Sequence, residues 1–203
     1  MKKRNLMFIV CLTVTASTMC SCRIMRFPGP DAVTEATRSW EQKKVTQPPP
    51  SDTYNVLGNL DGLKNYVVKY DERFYRGGEP NSAKAAEQLK KLGIATIVSV
   101  TPSDAEREFC SENGFVLVEI PFEKTNGPAL ADLQKFVETI QAGEGPFYTH
   151  CHGGSHRGGT LGLAYRMHVL GWPYEKAVIE FGRLGGSLKD DHVMIEAVRD
   201  FKP

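Results

Sequence analysis

The chain is poor in cysteine, with five in 203 residues, too few for a disulfide-dense scaffold. It has no charge of either sign to spare. Lysine plus arginine total 25 and aspartate plus glutamate 24, a formal net charge of +1. That balance argues against a strongly basic nucleic-acid binder. The 19 glycines follow no three-residue period, which excludes a collagen-like chain. An apolar content of 41% is too high for disorder throughout. A chain of this length is expected to build one core in one domain.

Long apolar runs are also missing. Leu6–Val14 follows the basic start Lys2-Lys3-Arg4 and is too short for a comfortable membrane span. Small and hydroxyl residues then lead to Cys20-Ser21-Cys22. That order is the order of a secretory signal, so residues 1–21 are assigned as a signal peptide. The cysteines resemble a bacterial lipobox. Cys22, preceded by small Ser21, is the better lipid acceptor than Cys20, which follows bulky Met19. Export to the periplasm or cell envelope is expected, with a lipid on Cys22 as the preferred attachment and simple cleavage or an uncleaved membrane anchor as the alternatives. Residues 22–52 contain Pro28-Gly29-Pro30 and Pro48-Pro49-Pro50 and read as an extended tether. The folded domain is placed at 53–203.

Within it, strands and helices alternate. Tyr66-Val67-Val68 and Phe74-Tyr75 are short strand candidates. Asn81 or Ser82 can cap a helix that Gly93 stops, and Ile94–Val100 reads as a buried strand. Ser103 and Glu106 have capping-box spacing, opening a helix to Gly114. Phe115–Ile120 is the next strand. A helix after Pro128 puts Leu130, Leu133, Val137 and Ile140 on one face. Phe147–His150 is a strand, followed by an apolar helix closed by Gly171. Pro173 opens another helix, and Ser187 can cap the last. This alternation predicts an α/β fold with a mostly parallel central sheet flanked by helices. Sites in such sheets lie at the carboxyl ends of strands.

That rule points to His150-Cys151-His152-Gly153-Gly154-Ser155-His156-Arg157. The spacing of Cys151 and Arg157 alone is weak, because Cys20 and Arg26 repeat it near the N-terminus. Context distinguishes the second match: a strand precedes it, glycines lie within it and an apolar helix follows. His152, Gly153, Gly154, Ser155, His156 and Arg157 can curl so that their N–H groups surround one anion, with the helix N-terminus behind. A cysteine placed there is expected to be a thiolate at neutral pH. It can attack phosphorus and carry the phosphoryl group, while Arg157 grips two phosphate oxygens. A zinc site on His150, His152 and His156 would need three ligands within seven residues, and no second cluster completes it. A nucleotide loop would need a lysine that the glycine pairs lack. No metal or cofactor is expected.

His150-Cys151-x-x-Gly154-x-x-Arg157 resembles the signature loop of the cysteine-dependent protein tyrosine and dual-specificity phosphatases. Phe74-Tyr75-Arg76-Gly77-Gly78-Glu79-Pro80 resembles the Tyr-Arg-x-x-Gln-Pro motif of compact bacterial and plant members. The resemblance runs from about Tyr54 to Phe201. It implies Cys151 as nucleophile, Arg157 as phosphate clamp and His150 as support for the thiolate through hydrogen bonding, with Arg76 either bracing the site or lying as a surface or sheet-edge arginine. It also implies a phosphorylated protein or small phosphate monoester as substrate, and a monomer. Two positions depart from the pattern. Gly158 stands where the family usually has Ser or Thr, and the loop 121–128 carries no Asp as general acid. Glu123 is the candidate for that role, ahead of Asp132 and Asp104. A phosphate- or phosphoprotein-binding module with impaired catalysis is the alternative reading.

Overall fold

The computed structural model describes Pro48 and residues 50–203. The expected signal peptide, Cys22 and most of the tether lie outside the described residues. Six strands form one sheet: β1 (Asn55–Asn59), β2 (Tyr66–Lys69), β3 (Phe74–Gly77), β4 (Thr96–Ser99), β5 (Val116–Glu119) and β6 (Phe147–His150), in the order β1-β2-β3-β6-β4-β5. The pairs β3–β6, β6–β4 and β4–β5 are parallel, while β1–β2 and β2–β3 are antiparallel. The sheet is therefore mostly parallel, as the alternation predicts. Strand β1 has no sequence expectation behind it. It lies at the sheet edge and is only half buried, and a register shift between Val56 and Gly58 breaks its alternation.

The helices are α1 (Ala83–Lys91), α2 (Asp104–Asn113), α3 (Leu130–Ala142), α4 (Arg157–Ala164), α5 (Tyr174–Arg183) and α6 (His192–Asp200). A π-helical turn, Tyr165–Val169, extends α4. Ser82 and Ser103 cap α1 and α2 as expected, each side chain accepting a backbone N–H. Two details differ. Leu130 is exposed, and the buried face of α3 runs through Leu133, Phe136, Val137 and Ile140. Helix α6 starts only after Asp191. Ser187 instead closes the preceding turn, its Oγ accepting from Asp190 N at 3.1 Å.

Period-2 side-chain alternation sorts the strands into two cores. Val67, Tyr75, Ile97 and Tyr148 pack with Ala85, Leu89, Cys110 and Phe115 on the α1/α2 side. Val68, Phe74, Val98 and Phe147 pack with residues of α3 to α6 on the other. The same alternation sends His150 toward α2 and places Arg76, two residues beyond Phe74, on the α4 side.

Candidate active site

The loop between β6 and α4 curls at the carboxyl end of the central strand, where it was expected. It borders an open cavity of about 400 Å³ lined by Asn65, Glu123, Lys124, Cys151, His152, Gly153, Ser155, His156 and Arg157. Cys151 is buried among protein atoms but lines this cavity. Its Sγ accepts the Gly154 N–H at 3.2 Å. Gly154 has φ +80°, and a Cβ there would lie 2.4 Å from the Gly77 carbonyl oxygen. Only glycine fits this turn without strain. Arg157 is the first residue of α4, so the helix N-terminus opens into the loop.

Glu123 and Arg157 meet at the rim. Arg157 Nη1 lies 3.5 Å from Glu123 Oε2 and 3.4 Å from the Phe122 carbonyl oxygen. Asp132 and Asp104 lie elsewhere. Asp132 accepts from Ala129 N at 2.9 Å at the start of α3, and Asp104 pairs with Arg107 on the surface. Thr160, the nearest hydroxyl on α4 after Gly158, donates to the His156 carbonyl at 3.1 Å and is buried.

The three loop histidines have different surroundings. His150 is fully buried. Its Nε2 lies 2.5 Å from Glu106 Oε1, and its Nδ1 has no hydrogen-bond partner among the described residues, so neither ring nitrogen bonds the Cys151 sulfur. Glu106 Oε2 accepts from Ser99 Oγ at 2.7 Å. His152 is exposed and shares Glu79 with Lys64. Burial raises the Glu79 carboxyl, but Lys64 and His152 outweigh it and hold the group below its ordinary value. His156 Nδ1 lies 2.7 Å from Asp191 Oδ2.

Asp191 ties several segments together. Its side chain is 0% exposed. Oδ2 also accepts from Ser187 N at 2.8 Å, and Lys124 Nζ lies 2.8 Å from Oδ1. Burial alone would raise this carboxyl. The bonds from His156, Lys124 and the Ser187 N–H outweigh burial and hold it below its ordinary value.

Arg76 is also buried. It donates from Nη1 to the Ser155 carbonyl at 3.2 Å and from Nη2 to the Leu184 carbonyl at 2.8 Å. Burial disfavours its charge, but Tyr70, Tyr66, Cys151 and Glu180 more than offset that, and its pKa is raised. It braces the loop from the sheet. On the opposite flank Asn65, at φ 57°, donates to the Gly153 carbonyl at 2.7 Å.

Sequence reasoning did not find Glu106, Asp191 or Asn65. The capping-box spacing already accounted for Glu106, yet its carboxylate turns inward to His150. Asn65 offered one weak signal, since Asn tolerates the left-handed region better than most residues. Asp191 offered none, because its partners come from distant segments. Cys110 and Cys151 are both free thiols and belong to different cores.

Comparison with known proteins gives a consistent result. The family described as DSP-PTPase phosphatase fused to NAD+ kinase matches residues 59–181. The dual specificity protein phosphatase TpbA of Pseudomonas aeruginosa strain UCBPP-PA14 is 31% identical over 129 residues, covering 62% of this chain and 57% of that protein. The chain thus spans little more than half the length of this relative. The crystal structure of P. aeruginosa TpbA superposes with a TM-score of 0.61 at 24% identity, over 75% of this chain and 92% of that one. A TpbA variant in complex with pTyr gives 0.58 at 22%, over 79% and 93%. The catalytic core of the PP-IP phosphatase Siw14 from S. cerevisiae gives 0.54 at 19%, over 73% and 89%. At these identities the structural likeness establishes the fold.

Proposed function

The chain belongs to the DSP-PTPase family of cysteine-dependent phosphatases, and from that premise we propose that it hydrolyses phosphate monoesters through a phosphocysteine on Cys151. The observation that carries this reading is the 3.2 Å approach of the Gly154 N–H to Cys151 Sγ in a cavity that Arg157 also lines. In the first step the thiolate attacks phosphorus and the ester oxygen leaves. Glu123, at the rim, protonates that oxygen. Loop N–H groups, the start of α4 and the Arg157 fork hold the equatorial oxygens, where charge stabilisation is worth most. His150 supports the thiolate indirectly, by fixing the peptide that enters the loop through its bond to Glu106. Water then releases phosphate and regenerates the thiolate.

The open cavity and the pTyr complex of TpbA support a phosphorylated protein or small aryl phosphate as substrate. The basic, apolar and small-residue order of the first 21 residues supports an exported protein anchored by lipid at Cys22.

The test is phosphate release from a small aryl phosphate by the full-length reduced chain, beside Cys151→Ser and Arg157→Ala. Release that disappears in Cys151→Ser and falls sharply in Arg157→Ala is expected. Gly158 favours a second reading, a phosphate-binding module. A silent parent that still binds vanadate would establish that reading and overturn the first.

A further inference from the structure

Among the described residues no hydroxyl on α4 stands ready to help the second chemical step. Gly158 brings no hydroxyl to the sulfur, and Thr160 spends its own on the His156 carbonyl. His156 is the loop residue before Arg157 and lines the same cavity as Cys151. Its side chain is 46% exposed. Among the described residues Nδ1 has one partner, Asp191 Oδ2 at 2.7 Å, and Nε2 has none. The other loop histidines are committed: His150 is buried against Glu106, and His152 lies against Glu79 and Lys64.

Asp191 determines what that geometry can do. It is buried, and it accepts the Ser187 N–H while pairing with Lys124. An ionised carboxylate only accepts hydrogen bonds. The proton of a neutral His156 ring therefore sits on Nδ1, and the lone pair sits on Nε2. A carboxylate that fixes the tautomer of a histidine in this way leaves the far nitrogen ready to take a proton.

We propose that His156 is the base that activates water for hydrolysis of the phosphocysteine, with Asp191 as its positioning residue. This rests on the phosphatase reading above. Nε2 accepts a proton from water as the water oxygen bonds to phosphorus. The sulfur–phosphorus bond breaks, and its electron pair returns to Cys151 as thiolate. Inorganic phosphate leaves, and the imidazolium gives its proton to solvent. Glu123, held beside Arg157, serves the first step.

The experiment is rapid-quench turnover of p-nitrophenyl phosphate by the full-length reduced chain, following phenol release and phosphate on the Cys151 peptide. His156→Ala is expected to keep a first-turnover burst of about one phenol per chain. Its steady-state rate should fall by roughly 10²-fold or more, with phosphocysteine accumulating. Asp191→Asn should show the same split, with a smaller fall. His156 is half exposed, so its variant keeps the test valid should Asp191→Asn fail to fold. A parent that releases neither phenol nor phosphate overturns the phosphatase reading itself. If the parent turns over and His156→Ala leaves the steady-state rate intact, only the role of His156 is overturned. That role is equally overturned if His156→Ala slows burst and turnover together.

Discussion

Glu106 and His150 meet inside the protein at 2.5 Å, on the face of the sheet opposite the one against which Arg76 and α4 pack. One carboxylate thereby serves two strands, because its second oxygen accepts from Ser99 on β4. Removing it leaves a buried ring nitrogen without a partner and a hydroxyl without its acceptor, though Ser99 Oγ still accepts the Thr101 N–H. Leaving a buried polar group unsatisfied costs about 1–3 kcal/mol. Glu106→Ala should lose about that much in urea unfolding, with turnover falling because the peptide before Cys151 loosens. A loss below about 0.5 kcal/mol would show that the interior relaxes around the gap.

Two adjacent glycines should respond differently to the same change. A Cβ at Gly153 meets only Asn65 Nδ2, at 3.5 Å. One at Gly154 meets Gly77 backbone at 2.4 Å and forces a left-handed residue to carry a side chain. Gly153→Ala should keep turnover within a few-fold. Gly154→Ala should lose most of it and melt earlier, since strain and overpacking together cost about 1–3 kcal/mol or more. Equal turnover in the two variants would mean that the loop adopts another curl in solution.

The two cysteines of the domain are predicted to differ in reactivity. Cys110 faces the α1/α2 core, and burial pushes its thiol up to about 12. It should resist iodoacetamide at pH 8 until the chain is unfolded, because the thiolate is the reactive form. Cys151 lines the cavity and should label in the folded protein, more slowly with vanadate present. Peptide mapping after brief labelling checks both sites. Native labelling at Cys110 would contradict its placement.

What was legible in the sequence followed short-range rules. The strand ending at His150, the glycines after it and the serine caps of α1 and α2 each depend on neighbours within a few residues. So did the order of helices around a mostly parallel sheet. What could not be read depended on distance. Strand β1 hides its alternation behind the irregularity at Gly58. Arg76 could be read as brace or as surface until the β3–β6 register set it beside Thr149. Glu106 obeyed one local rule while its carboxylate served another purpose. Asp191 carried no local signal, and only the fold brings it to His156 and Lys124.

The tie at Asp191 should have its own acid transition. Its carboxyl is held below its ordinary value in the folded chain, whereas an unfolded aspartate titrates near ~3.9. A depressed folded value means that the unfolded chain takes up the proton first as the pH falls. The stability from this carboxylate is therefore complete above about pH 4–5 and is lost as the pH drops through the lower folded value. Asp191→Asn has no proton to take up there. Urea unfolding of parent and variant at intervals from pH 5 to 3 should give a stability gap that is widest at pH 5 and narrows below about pH 4. Other carboxylates titrate in both proteins, and their slopes cancel in the difference. A gap that widened on acidification would mean that the unfolded chain holds the charge better than the buried site does. The bonds from His156, Lys124 and Ser187 would then be too weak to offset burial, and the ordering of His156 by Asp191 would lose its physical basis.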